Sequence, residues 1–152
     1  MSDAYQQVCN LIYRYSELIT LGDFDAVGEM FAEGVVTSES NDQVNRGAAA
    51  VAAFYRDGVL VDPDHVPNQV LITSNVQVYV DEEAGTASAR ACFTSIHEDN
   101  RGGLVPVVGW RYHDEFVRVD GEWRFKSRHI QNDIAGDINL HVPPHIFGQL
   151  QD

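Results

Sequence analysis

The stretch GWRYHDEFVRVDGEWRF, residues 109–125, decides the fold of this chain. Large apolar side chains recur at every second position in its first half, where Trp110, Tyr112 and Phe116 share one face. A period of two predicts a strand with one buried face. Asp120-Gly121 is a two-residue hairpin signal, and a further strand begins at Trp123. The stretch therefore predicts two neighbouring antiparallel strands.

The same alternation continues upstream of this hairpin. It predicts four strands, over residues 70–80, 86–97, 105–119 and 123–132. Short turns rich in Asp, Glu and Gly join them, which is typical of an antiparallel meander. If the sheet curls, side chains alone cannot fill its concave face, and a pocket results.

Helical periodicity dominates the first third of the chain. Gly22 ends a first amphipathic helix, Asp23 caps a second one, and an Ala-rich helix follows a brief strand. These helices and the strand cover residues 3–21, 23–31, 48–55 and 35–37, with a loop at 57–68 and an irregular covering tail at 137–152. Helices followed by a meander predict a single α+β domain, residues 1–152, with its N-terminal helices on the concave face of a cone-shaped sheet.

Composition narrows the classes of partner and cofactor. The formal charge of -13 disfavours nucleic acid and anionic membranes. We expect a cytoplasmic protein, because the sequence shows no signal peptide and its two cysteines, Cys9 and Cys92, are far apart. No His pair has ligand spacing and no glycine-rich nucleotide loop occurs, so we expect neither a metal nor another cofactor.

Four blocks of the sequence resemble the nuclear-transport-factor-2-like superfamily, and its SnoaL-like branch in particular. They are YSELITLGDFDAVGEMF (residues 15–31), SNV (74–76), GTA (85–87) and the stretch at 109–125. The resemblance implies a cystatin-like roll with an interior pocket. The superfamily includes scytalone dehydratase, lindane dehydrochlorinase, ketosteroid isomerase, polyketide cyclases and the β-subunits of ring-hydroxylating dioxygenases. Fold alone therefore does not settle function.

The resemblance also shows which chemistry is missing. In the dehydratase and the dehydrochlorinase an Asp orients a His that removes a proton from the substrate. Motif alignment puts Thr20 and Leu71 at these two positions, and neither side chain is a base. The nearest substitute, His65, is expected in a loop.

Three residues are the candidates for catalysis. Alternation puts His97 on the concave face with Ala91 and Phe93, and the resemblance matches it to a pocket histidine. Tyr112 could donate a hydrogen bond to a substrate carbonyl. Asp114, among aromatic residues, must be paired or have a raised pKa. Structural alternatives remain open: His97 as a hydrogen-bonded strand-end residue, and Asp114 as a partner of backbone or Arg128.

The predicted substrate-binding residues come from both the helix and the sheet. They are Tyr15, Thr20, Leu71, Trp110, Arg128 and Asn132. Alternation from Trp123 points Arg128 outward, whereas the resemblance points it inward. A bulge near Ser127 would reconcile the two.

Two functions fit these residues. The first is an enzyme that moves a proton in a hydrophobic, ring-bearing substrate, by dehydration, isomerisation or cyclisation. The second, favoured by the missing dyad, is a ligand-binding protein or an assembly subunit resembling the dioxygenase β-subunits. The resemblance also implies a homodimer formed through the outer face of the sheet.

Overall fold

The structure is a computed structural model that describes residues 3–59, 61, 67–99, 101–138, 143 and 145. Three helices and six strands are formed by the residues that the structure describes. In chain order they are α1 (Ala4–Leu21), α2 (Phe24–Met30), β1 (Val35–Ser38), β2 (Asn41–Arg46), α3 (Gly47–Gly58), β3 (Gln69–Asp81), β4 (Thr86–Glu98), β5 (Leu104–Val119) and β6 (Glu122–Ala135). The predicted covering tail lies largely outside the described residues.

Helix α1 begins and ends at the residues that the sequence indicates. Asp3 accepts a hydrogen bond from the backbone N–H of Gln6 at 2.8 Å, which satisfies a donor at the open helix end. Gly22 ends the helix with φ 75°, in the left-handed region that glycine adopts without strain. The apolar face of α1 packs on the sheet, and the Ser16 hydroxyl bonds that of Thr73 in β3.

Helices α2 and α3 pack closely because Gly28 of α2, at their contact, has no side chain. A Cβ at Gly28 would lie 2.3 Å from the carbonyl oxygen of Ala48. Any larger residue would therefore push α3 away from α2. This contact fixes the position of α3, which forms one wall of the cavity described below.

The sheet is mixed, curved and unclosed, in the order β2-β1-β6-β5-β4-β3. Strands β3 to β6 form the predicted antiparallel meander. The sheet is not wholly antiparallel, because β1 pairs with β6 in the parallel sense. Strand β2, a polar segment, pairs antiparallel with β1 at the edge and was not predicted.

A bulge in β6 decides which face its second half presents. Glu115 pairs with Ser127 but Phe116 pairs with Phe125, so Lys126 is an extra residue in β6. An extra residue reverses the alternation beyond it. Arg128 consequently points inward and is fully buried, which settles the orientation that the sequence left open.

The concave face is the buried one. In β4 it buries all six residues expected there, namely Ala87, Ala89, Ala91, Phe93, Ser95 and His97. Within the described part of the chain, no helix is long and apolar enough to cross a membrane.

Candidate functional site

A cavity of about 510 Å³ lies between the helices and the concave face of the sheet. Its walls combine apolar and aromatic residues of α1, α3 and the meander with a polar strip from β1, β2 and the turn between them. The first group comprises Tyr15, Ile19, Ala50, Ala53, Phe54, Tyr55, Leu71, Phe93, Trp110, Tyr112 and Ile130. The second comprises Ser38, Ser40, Asn41, Gln43 and Asn45, while Asp57, Gly58, Val59 and Gln69 complete the lining. A volume of this size suits a drug-sized molecule.

Three tyrosines meet at one end of the cavity and are called the tyrosine cluster here: Tyr15, Tyr55 and Tyr112. The Tyr15 hydroxyl donates to the Tyr55 oxygen at 2.7 Å. The Tyr15 ring meets the Tyr112 ring edge-on, with centroids 5.6 Å apart. Phe93 stacks on the other side of Tyr112 at 4.3 Å. One hydrogen bond between two hydroxyls uses one of their two protons, so the other phenolic proton of the pair is available to a ligand.

Arg128 lies directly behind the tyrosine cluster. Its guanidinium carbon is 3.7 Å from the centroid of the Tyr112 ring and 4.1 Å from that of Tyr15. Its Nε and Nη2 donate to the two carboxylate oxygens of Asp114 at 2.8 and 2.7 Å. Neither side chain has any exposed surface. Burial opposes the charge, but the Asp114 carboxylate holds the pKa of Arg128 above its usual value, so the cation persists.

Burial also fixes the protonation state of the phenols. It raises the pKa of Tyr15, and raises the pKa of Tyr55 and Tyr112 well above the usual value. The Arg128 cation acts in the opposite direction on all three without reversing the result. The cluster therefore presents protonated hydroxyls, which can donate to a carbonyl or hydroxyl oxygen of a ligand.

His97 lies far from this cluster. It is buried at the far end of β4, and its Nε2 is 3.2 Å from the Ser95 hydroxyl. Burial lowers its pKa to about 4, so the imidazole is neutral at physiological pH. Among the described residues that line the cavity, His97 does not appear, although its cross-strand partner Gln69 does.

Of the other predicted site residues, Tyr15, Leu71, Trp110 and Tyr112 line the cavity. Asp114 and Arg128 lie behind that lining and pair with each other. This pairing is one of the two structural alternatives that the sequence left open for Asp114.

Thr20 and Asn132 are used in structural contacts outside the lining. The Thr20 hydroxyl accepts a hydrogen bond from the backbone N–H of Leu71 at 3.1 Å, which ties α1 to β3. The Asn132 amide donates to the Ser40 hydroxyl at 2.7 Å. Thr20 and Leu71, at the positions of the missing dyad, thus hold two elements together.

Sequence reasoning missed Tyr55, Gln69 and the polar strip. Tyr55 follows the buried Val51 by four residues, which is the spacing that puts both on one face of α3. That signal was available. The polar strip and Gln69 gave no such signal in the sequence, because only the folded sheet brings these residues to the cavity.

The rim of the cavity holds a carboxylate–imidazole pair. Asp57 lines the rim, and its Oδ1 lies 2.7 Å from Nε2 of His145. Both side chains are more than half exposed. His65, the substitute considered for the missing dyad, lies outside the described residues. Across the described residues, no group of three His, Cys, Asp or Glu side chains could hold a metal ion.

Residues 1–129 match the model of a protein family described as the SnoaL-like domain. No curated protein sequence matches the chain.

Solved structures share the fold at low sequence identity. An NTF2-like protein with a cystatin-like fold from Novosphingobium aromaticivorans is 20% identical, with a TM-score of 0.72 over 97% of this chain and 89% of that one. Rv3472 from Mycobacterium tuberculosis is 19% identical, with a TM-score of 0.73 over 97% and 86%. A proposed scytalone dehydratase from N. aromaticivorans is 17% identical, with a TM-score of 0.66 over 88% and 86%.

Proposed function

Because the chain belongs to the SnoaL-like domain family, we propose that it binds a small, largely apolar, oxygen-bearing ring molecule and rearranges it by proton transfer without a cofactor. The observation that supports this most directly is the hydroxyl pair of Tyr15 and Tyr55 at one end of an apolar cavity. The similarity of fold to a proposed scytalone dehydratase is consistent with it.

The tyrosine cluster supplies the electrophilic half of the reaction. Tyr55 donates to a substrate carbonyl or hydroxyl oxygen, and its hydrogen bond with Tyr15 holds its hydroxyl in place. The Tyr112 hydroxyl, which also hydrogen-bonds Tyr15, belongs to the same network. Negative charge that develops on that oxygen is stabilised by these O–H groups and by the Arg128 cation behind them. Dehydration of a β-hydroxy ketone, isomerisation of an enone and aldol-type cyclisation each proceed through such an enol-like oxygen.

The proton acceptor must lie near the same substrate carbon. His97 pairs across the sheet with Gln69, whereas Tyr112 pairs with Ala91, six residues along β4 and roughly 20 Å away. His97 could therefore act on a substrate held by Tyr112 only if that substrate extended along β4. Asp57 and Tyr55 both belong to α3 and line the cavity, so the Asp57–His145 pair is the acceptor in this proposal, with His97 as the alternative.

Deuterium exchange tests the proposal without knowledge of the natural substrate. The protein is incubated with 2-tetralone in D₂O, and loss of the protons next to the carbonyl is followed by NMR. We expect exchange faster than in buffer, and slower by about 100-fold in Tyr55→Phe, since the loss of one oxyanion donor has an effect of this order. His145→Ala should slow exchange and His97→Gln should not. Unchanged exchange in Tyr55→Phe would exclude the role of the cluster.

A non-catalytic role is the second candidate, and Thr20 favours it. Its hydroxyl is engaged with the backbone of Leu71, so the positions of the family dyad serve structure here. Binding of 2-tetralone with no acceleration of exchange would support a ligand-binding protein. Co-purification with a larger partner would support an assembly subunit, whereas light scattering that shows a homodimer alone would favour the enzyme.

A further inference from the structure

Strand β2 presents three neutral amide side chains to the cavity. Asn41, Gln43 and Asn45 lie at alternate positions of the strand, and all three line the cavity. Asn45 pairs across the sheet with the buried Val36. Asn41 pairs in the same way with the buried Ser38. Because cross-strand partners share a face of the sheet, the three amides belong to its concave face.

Contacts with the backbone fix the direction of two of these amides. The Asn41 Oδ1 accepts a hydrogen bond from the backbone N–H of Gln43 at 2.9 Å, so its Nδ2 is the free end. The Asn45 Nδ2 donates to the backbone carbonyl of Val36 at 3.2 Å, so its Oδ1 is the free end. Neither amide can turn over without losing its backbone bond. The polar strip therefore offers a fixed donor at Asn41 and a fixed acceptor at Asn45.

These free ends are open to a ligand. Asn41 and Asn45 are half-buried, and neither free end is among the fully buried polar atoms that lack a partner in the described residues. Gln43, between them, is exposed, and its side-chain amide makes no hydrogen bond within the described part of the chain. A ligand that pairs with these groups replaces water and breaks no contact within the protein.

Spacing and charge define the chemical group that fits the polar strip. Residues two apart in a strand are roughly 7 Å apart, so the donor at Asn41 and the acceptor at Asn45 are separated by roughly 13 Å, with Gln43 between them. Among the described residues of the lining no Lys or Arg occurs, and Asp57 is the one charged residue. A carboxylate or phosphate would find no cation there. Since a hydroxyl both donates and accepts, several neutral hydroxyls along one side of a ligand match all three amides.

The polar strip and the tyrosine cluster are close enough for one ligand to contact both. Ser38 pairs with Ile130, which pairs with Tyr112 on its other side, so Ser38 and Tyr112 are two strands or roughly 10 Å apart. Asn41 lies one strand beyond Ser38. A ring whose oxygen is held by the tyrosine cluster can therefore extend a substituent along β2.

We infer that β2 is a specificity-determining edge of the cavity, and that the substrate is a ring molecule with a neutral, hydroxyl-rich substituent such as a sugar or another polyol. The inference rests on the proposed function for the ring oxygen at the tyrosine cluster. The amides of Asn41, Gln43 and Asn45 bind the hydroxyls of the substituent.

Three probes that share a phenol test this recognition. Arbutin (4-hydroxyphenyl β-D-glucopyranoside) carries a neutral polyhydroxylated ring. 4-(Cyclohexyloxy)phenol replaces that ring by one of similar size without hydroxyls, and 4-hydroxyphenyl β-D-glucuronide adds a carboxylate. Dissociation constants are measured by calorimetry for the wild type, Gln43→Leu, Asp42→Leu and Tyr55→Phe.

We expect Gln43→Leu to bind arbutin about three- to tenfold more weakly than the wild type, because it removes hydrogen bonds to the sugar hydroxyls. Its affinity for 4-(cyclohexyloxy)phenol should not fall. The wild type should bind the glucuronide more weakly than arbutin, since the carboxylate loses water and meets no cation. The thermal midpoint of Gln43→Leu should stay within about 2 °C of the wild type, as expected for an exposed side chain without a protein partner.

Asp42→Leu is the matched control on β2. Asp42 is the exposed neighbour of Gln43 on the opposite face of the strand, so its replacement should leave the affinity for arbutin unchanged. Tyr55→Phe is the control at the tyrosine cluster and should weaken all three probes by a similar factor.

Four results would each overturn the inference: no detectable binding of arbutin, an affinity for arbutin that Gln43→Leu leaves unchanged or lowers no more than that for 4-(cyclohexyloxy)phenol, an equal loss in Asp42→Leu, or a glucuronide that binds as tightly as arbutin. If Tyr55→Phe has no effect while Gln43→Leu weakens arbutin alone, the proposed function fails and the role of β2 stands. If Tyr55→Phe weakens all three probes while Gln43→Leu weakens none, the inference fails and the proposed function stands.

Discussion

Two arginine–carboxylate pairs connect β5 to β6 with nearly the same geometry. Arg128 donates to Asp114 through Nε and Nη2 at 2.8 and 2.7 Å. Arg111 donates to Asp133 through the same two nitrogens, both at 2.7 Å. The first pair has no exposed side-chain surface, whereas Arg111 and Asp133 are 49% and 33% exposed. The two pairs thus differ in their exposure to solvent, whereas their hydrogen-bond distances are nearly the same.

Because of this difference in burial, we expect the fold to require the Arg128–Asp114 pair but not the Arg111–Asp133 pair. Water solvates Arg111 and Asp133 whether or not they pair, so the pair contributes little. Arg128 and Asp114 have lost their water, and each is stable in its position only with the other. The two Tyr rings on Arg128 extend this dependence to the tyrosine cluster. The buried pair therefore supports the site from behind.

The largest expected effect is that of breaking the buried pair. Asp114→Ala leaves a buried cation without its carboxylate, and we expect it to lower the free energy of unfolding by about 3–5 kcal/mol. Urea denaturation followed by fluorescence measures this loss. Asp114→Asn, which preserves the shape, should also be destabilised.

The double variant Asp114→Leu/Arg128→Met is the control for this prediction. Because it removes both charges and retains apolar volume, it should regain most of the stability that Asp114→Ala loses. If the double variant is no more stable than Asp114→Ala, an uncompensated charge is not the cause of the loss.

His97 shows the other response of a titratable group to burial. Arg128 keeps its charge through Asp114, whereas burial lowers the pKa of His97 to about 4 and makes it neutral. Between pH 6.5 and about 4 the unfolded chain binds a proton at this histidine that the folded chain does not. Stability from this group is complete above pH 6.5 and falls as the pH drops to about 4, by roughly 3 kcal/mol.

Comparison with His97→Gln isolates this contribution from that of the carboxylates, which also titrate on acidification. The difference in unfolding free energy between the wild type and His97→Gln, measured in urea at several pH values, should be constant above pH 7 and shift against the wild type between pH 6.5 and about 4. A difference that is flat across this range would mean that the folded chain protonates His97 normally.

The four strands of the meander could be predicted because the alternation of apolar residues in each one indicates its own buried face. In β4 the alternation of small and large residues over 86–97 gave bounds within one residue of Thr86–Glu98. Gly22 was predicted to end the first helix and does end α1, and the predicted start at residue 3 is one residue before Ala4. These signals are local, so no knowledge of the rest of the chain was needed.

The composition of the cavity was less accessible, because it depends on register and on neighbours distant in sequence. Strand β2 is polar and forms only because β1 lies beside it, so its side chains in the lining gave no periodic signal. The bulge at Lys126, which turns Arg128 inward, follows from pairing with β5. The Asp114–Arg128 pair was one of the predicted alternatives, because Asp114 lies among aromatic residues, whereas the Arg111–Asp133 pair was not predicted.

The smallest expected effect is that of breaking the exposed Arg111–Asp133 pair. It tests whether burial, and not hydrogen-bond geometry, sets the energy of these pairs. The Arg111 guanidinium hydrogen-bonds Asp133 and lowers the pKa of that carboxyl, so the contact is attractive. Water screens it, however, and replaces it when it is lost. Asp133→Ala should therefore leave the urea midpoint within measurement error of the wild type, and any residual difference should vanish in 1 M NaCl. Asp133→Asn, which retains the side-chain volume, controls for packing at the edge of the sheet. A loss as large as that of Asp114→Ala would show that the geometry of the pair sets its energy and that burial does not.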